Sequence, residues 1–197
     1  MGTQELDEEA GDSRATLKVR AFFGLPLPDP QREALDGYLR QCAARATEFR
    51  WTPAANLHLT VRFLGQVEEP LARSIAEAVV DSRPDAFELA LGDTGVFKRG
   101  RLARVVWIGL REGDAEARRL AAVVEAECVR AGLEPETRAF TAHLTLARAR
   151  VRDGATLPQL PPPPELDSWR AAEVILYRSR LGRSGSEYEP LETIPLR

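Results

Sequence analysis

The sequence is poor in the residues that most enzymes use for chemistry. Its 197 residues include only two cysteines, two histidines and one methionine. Cys42 and Cys128 are too few for a disulfide framework and lack the spacing of a zinc site. A reducing, cytoplasmic setting is therefore expected. No apolar run nears the ~20 residues that a bilayer crossing needs. The first residues are acidic, where a secretory signal would start basic and turn apolar. Lysine is scarce as well: of 27 basic residues only Lys18 and Lys98 are lysine. Biased codon usage accounts for that ratio, and it carries no functional weight.

The net charge of −3 is unevenly spread. Residues 1–15 hold Glu5, Asp7, Glu8, Glu9 and Asp12 against Arg14, a sum of −4 that leaves +1 for the other 182 residues. Such a segment reads as a solvated, disordered tail before a single bilobal domain over residues 16–197. The nearly neutral body is compatible with a local anion site. A broad nucleic-acid surface would usually be strongly basic.

Along the chain, strands are expected at Leu17–Leu25, Leu57–Leu64, Phe87–Leu91, Arg104–Leu110, Phe140–Ala149, Trp169–Leu181 and Tyr188–Pro195. Asp29-Pro30 reads as a cap followed by proline at the first helical position. Leu35, Leu39, Cys42, Ala46 and Phe49 follow at helical spacing. Two more helices are expected after Pro70 and after Asp114. Trp51 to Asn56 reads as a connection, and Gly182 to Gly185 as a turn. This order predicts an α+β fold, with helices on the outer faces of antiparallel sheets. Each half has a helix leading into a strand that carries a histidine, which suggests two related lobes.

The two histidines lie in nearly the same local sequence, His58-Leu59-Thr60-Val61 and His143-Leu144-Thr145-Leu146. Side chains alternate across a strand with period two. His58 and Thr60 therefore share one face, as do His143 and Thr145, with leucines on the reverse. Two such fronts brought together form a cleft with two imidazoles and two hydroxyls. One imidazole can take a proton from water and the other can give one to a leaving oxygen. The hydroxyls can donate hydrogen bonds to phosphate oxygens. Two histidines could also ligate zinc, but such a site usually has three or four ligands. Neither strand offers a carboxylate or thiolate beside its histidine, so no metal is assigned.

At these residues the chain resembles the RNA 2′,3′-cyclic phosphodiesterases, also called 2′-5′ RNA ligases, of the two-histidine phosphoesterase superfamily. The likeness runs in order through Arg20 to Phe23, Asn56 to Thr60 with Phe63 to Gly65, and Arg104 to Gly109. It continues through Arg138 to Phe140 with His143 to Arg148, then Leu176 to Ser179 and Tyr188 to Leu191. The resemblance implies two antiparallel sheets flanking a central cleft. It implies hydrolysis of a 2′,3′-cyclic phosphate to a 2′-phosphate, without metal or cofactor. The implied partners are RNA ends or nucleotides carrying that group, and the implied state is a monomer. A ligase joining cyclic-phosphate and 5′-hydroxyl ends, or an RNA-end binding module, are the alternatives. The resemblance makes His58, Thr60, His143 and Thr145 catalytic, and makes Arg148 and Phe22 substrate contacts.

Two features sit awkwardly with strict alternation. Arg148 lies five positions after His143, so parity alone turns it away from the cleft, and only a bulge or strand end near Ala147 would turn it inward. Arg62 lies four after His58, so parity puts it on the cleft side. Phe22 reads as core by periodicity. The residue before the second histidine is Ala142, where the family commonly has proline.

Overall fold

The computed structural model describes residues 17–182 and 185–197. The acidic tail expected over residues 1–15 lies outside them, as do Arg183 and Ser184 of the expected turn. The elements in chain order are β1 (Lys18–Pro26), α1 (Asp29–Arg45), β2 (Phe49–Trp51), a short 3-10 turn (Ala54–Asn56), β3 (His58–Glu68) and α2 (Glu69–Asp81). They continue with β4 (Phe87–Arg99), β5 (Leu102–Glu112), α3 (Asp114–Arg130), β6 (His143–Ala149), β7 (Trp169–Ala171), β8 (Glu173–Gly182) and β9 (Gly185–Pro195). The fold is α+β, as the sequence pattern implies.

The strands form an antiparallel path in the order β7-β4-β5-β6-β3-β1-β8-β9, with β2 added against β6. One lobe is built on β1, β3, β8 and β9, and the other on β4, β5, β6 and β7. The join between them is the β3–β6 contact, whose register pairs Leu59 with Leu144. Both leucines are fully buried, at 1% and 0% exposure. Helix α2 packs on the first lobe, and α3 packs on α2 and β3. The core thus lies behind the strands, beneath the helices.

Several local expectations need correcting. Asp29 is the first residue of α1 and not its cap; Pro28 takes the cap position, and Asp29 pairs with Arg32 one turn on. The helix stops at Arg45, and Phe49 belongs to β2, a strand hidden from sequence by its three-residue length. The stretch from Trp169 to Leu181 is two strands. β7 pairs with β4 in one lobe, and β8 pairs with β1 in the other. The expected loop after Leu91 is strand instead. β4 and β5 form a long hairpin turning at Gly100, whose φ is +58°. β3 likewise continues through Gly65, at φ +72°, where it was expected to end.

Candidate active site

The β3–β6 register places the two His-x-Thr segments side by side. Because Leu59 opposes Leu144 in antiparallel sense, His58 comes alongside Thr145, and Thr60 alongside His143. The buried leucines hold the back of both strands. The two imidazoles and two threonines accordingly share the opposite face, in a half-buried cleft. All four residues sit where alternation puts them.

Each imidazole is fixed in the same way. His58 Nδ1 lies 2.8 Å from the carbonyl oxygen of Asn56, and His143 Nδ1 lies 2.6 Å from that of Thr141. A carbonyl only accepts, so Nδ1–H is the donor in both rings. In the neutral ring Nε2 then carries the lone pair available for proton transfer. The matching bond, from histidine to the carbonyl two residues earlier, extends the twofold likeness beyond the sequence repeat.

Aromatic side chains wall the cleft. Around His58 stand Phe22 at 4.6 Å between ring centroids and Tyr188 at 5.0 Å, with Tyr177 at 6.2 Å. Around His143 stand Phe97 at 5.0 Å and Trp107 at 6.2 Å. Two glycines make room for these rings. A Cβ on Gly24 would lie 3.3 Å from the His58 ring, and one on Gly95 would lie 2.2 Å from the Trp107 indole. Phe22 itself is 1% exposed. It packs beneath His58 and stacks on Tyr177 at 5.1 Å, so it positions the histidine and offers no open face to a ligand. The substrate contact expected of Phe22 is corrected to that extent.

The parity problem of Arg148 is resolved by a β-bulge. β5 pairs Trp107 with Thr145 but Val106 with Ala147, which leaves Leu146 as an extra residue on β6. Alternation slips by one, and Arg148 turns to the cleft face. Its positive charge depresses both histidine pKa values, and the Tyr188 hydroxyl of the other lobe acts on it in turn. β3 carries a corresponding bulge: Gly24 pairs with Thr60 and Phe23 with Arg62, leaving Val61 extra. Here the slip overturns the expectation for Arg62. It points to the helix side, where it pairs with Glu125 of α3 and donates to the Glu134 carbonyl at 2.7 Å. Phe63 takes the cleft side, 46% exposed and 5.5 Å from Phe22.

Phe63 and Arg148 are thus counterparts, each five residues after its histidine. The first lobe presents an open aromatic face there and the second a guanidinium. Sequence alternation missed Phe63. The shared five-residue offset is the signal that could have found it.

Burial is the largest influence on both imidazoles. It pushes His58 down from 6.5 to about 4, with Arg148 and then His143 adding to the fall against the bond to Asn56. His143 is lowered by burial and by Arg148, against the bond to Thr141. Both rings are therefore neutral at pH 7 in the free protein. The effect on stability follows from linkage. As pH falls below 6.5 the unfolded chain protonates His58 while the folded chain does not, so stability is lost until about pH 4. The loss amounts to about 3 kcal/mol. Denaturant unfolding at pH 7 and pH 4 is expected to show that His58→Gln loses less stability than the parent by this margin. An equal loss in both proteins would contradict the burial of a neutral ring.

Among the described residues no three His, Cys, Asp or Glu side chains gather to hold a metal ion. Cys42 and Cys128 are both free and buried. No described helix is long and apolar enough to cross a membrane.

Residues 25–107 and 108–188 each match the family of LigT like phosphoesterases. The chain belongs to that family. Each matched half of this LigT-like protein contains one His-x-Thr strand, in keeping with the twofold likeness of the lobes. It is 33% identical over 178 residues to an RNA 2′,3′-cyclic phosphodiesterase of Escherichia coli, covering 88% of this chain and 94% of that one. A protein of the same name from Methanothermobacter thermautotrophicus is 31% identical, with 91% and 100% covered. Among solved structures, Escherichia coli LigT complexed with 3′-AMP superposes with a TM-score of 0.78 at 30% identity, covering 91% of this chain and 99% of that one. TT0787 of Thermus thermophilus superposes at 0.75 with 28% identity, covering 90% and 98%.

Proposed function

We propose that this LigT-like phosphoesterase hydrolyses the 2′,3′-cyclic phosphate of an RNA or nucleotide end, leaving a 2′-phosphate. The observation that carries the reading is the pairing of Leu59 with Leu144, which sets two equivalent imidazoles and two hydroxyls on one face. The names of the relatives favour hydrolysis over joining or simple binding.

Water attacks phosphorus in line with the 3′ oxygen. The P–O bond to water forms as the P–O3′ bond breaks. One imidazole Nε2 takes the proton from water, and the other ring, protonated, gives its proton to the 3′ oxygen. Thr60 and Thr145 donate to the non-bridging oxygens, and Arg148 balances their charge. The aromatic walls limit water around the histidines. Phe63 offers a face for the base to stack on.

The lowered histidine pKa values bear on the proton supply. Neutral rings suit the base, but the acid must first be charged. An anionic phosphate in the cleft favours the imidazolium, so the acid's proton is taken up with substrate. The pH profile of kcat/KM reports the free protein. It is expected to be a bell on the acid side of 6.5, with a lower limb near 4 where His58 protonates. The test is turnover of nucleoside 2′,3′-cyclic phosphates across pH, with the product identified by phosphorus NMR. A 3′-phosphate product, or no turnover at any pH, would reject the reading.

A further inference from the structure

β2 pairs only with β6, and its middle residue is Arg50, directly opposite Arg148. Opposed residues on antiparallel strands share a face, with Cα atoms about 5 Å apart, and like charges there repel. The flanking residues Phe49 and Ala147 are buried on the core side. Both arginines therefore project to the cleft side. On the other edge of β6, Val105 opposes Arg148, and Arg104 precedes it at a register shift of the β4–β5 pair. Burial pushes the Arg148 guanidinium pKa down, against Tyr188, and the charges of Arg50 and Arg104 add to the fall.

Some arginines elsewhere are matched with carboxylates, as in Arg62–Glu125, Arg99–Asp153 and Arg178–Glu69, while others, such as Arg20, Arg45 and Arg170, stand without one among the described residues. Among the described residues, Arg50, Arg104 and Arg148 have no such partner. Their repulsion is left for a bound anion to relieve. The reacting phosphate accounts for Arg148 and needs one guanidinium. Two more charges stand beside it.

We propose that Arg50 and Arg104 form a second phosphate subsite, filled by the internucleotide phosphate on the 5′ side of the terminal nucleoside of an RNA chain. The proposal rests on the cyclic phosphodiesterase reading above and names its substrate more closely. The terminal cyclic phosphate lies at His58 and His143, and the preceding phosphate is held at the β2 edge of the same cleft. A guanidinium fork suits this task, because it engages phosphate through two parallel hydrogen bonds.

Three substrates separate the possibilities: a nucleoside 2′,3′-cyclic phosphate, the same compound with a 5′-phosphate, and a dinucleotide ending in the cyclic phosphate. The dinucleotide is expected to exceed the bare nucleoside in kcat/KM by about tenfold or more, the effect of one charge-assisted hydrogen bond. Its rate is also expected to fall more steeply with salt, by about 0.7 in the log–log slope per phosphate contact. Arg50→Ala and Arg104→Ala are expected to cancel most of that gain and of the added slope. Equal kcat/KM for the bare nucleoside and the dinucleotide would overturn the proposal, as would variants that lower all three substrates by one factor. A gain with the 5′-phosphate but none with the dinucleotide would assign a terminal phosphate and overturn the RNA-chain assignment. Absence of turnover with all three substrates would overturn the hydrolase reading, whereas turnover of the bare nucleoside without a gain for the dinucleotide would overturn the subsite alone.

Discussion

Replacing either histidine by alanine is expected to lower kcat by about 10² to 10⁴ fold, the usual worth of a positioned acid or base. The loss is expected from His58→Ala and from His143→Ala alike, because each ring holds one half of the proton transfer. Doing both is expected to add little, since the reaction needs both groups at once. The fold should survive, for the core lies behind the strands. Leu59 and Leu144 hold the lobes together without either imidazole. His58→Ala leaves space among Phe22, Tyr177 and Tyr188, so His58→Gln is the better control for packing there. Circular dichroism and single-turnover hydrolysis of a cyclic nucleotide together make the test. Folded single variants with full activity would remove the histidines from the mechanism.

Arg148→Ala is the second large effect expected. Removing an oriented donor from a developing oxyanion commonly costs about 10² to 10³ fold in rate. Here a second consequence accompanies it. Arg148 depresses both histidines, so its loss moves both titrations upward, and the kcat/KM bell moves with them. The chain contains only two histidines, so their ring protons give two resolvable titration curves by NMR. Arg148→Lys keeps the charge but loses the planar fork. It should hold the histidine titrations near those of the parent while recovering only part of the rate. If alanine and lysine variants titrate alike, Arg148 does not face the histidines. That outcome would also argue against the bulge at Leu146.

The sequence was informative about each strand taken alone. His58 and Thr60 share a face because neighbours alternate, and the leucines between the polar residues mark the buried side. The same reasoning holds for His143 and Thr145. It fails for Arg62, and it gave no warning of Phe63. Alternation describes an unbroken ladder, and a bulge depends on how the partner strand is paired. Val61 and Leu146 are ordinary strand residues with nothing local to mark them as extra. Likewise Phe49 continues a helical spacing. Only the edge of β6 gives residues 49–51 a partner and makes them a strand.

The scarcity of histidine by itself determined where an acid–base pair had to lie, and the repeated His-x-Thr fixed which atoms could serve. Tertiary structure alone decided that the two segments meet, through one leucine pair between two lobes. It also decided, through a one-residue slip in each strand, that an aromatic ring and a guanidinium face the cleft. Periodicity is carried by the backbone of a single strand and can be read residue by residue. Register and bulges belong to the hydrogen bonds between strands far apart in sequence, and they exist only once the lobes have folded together.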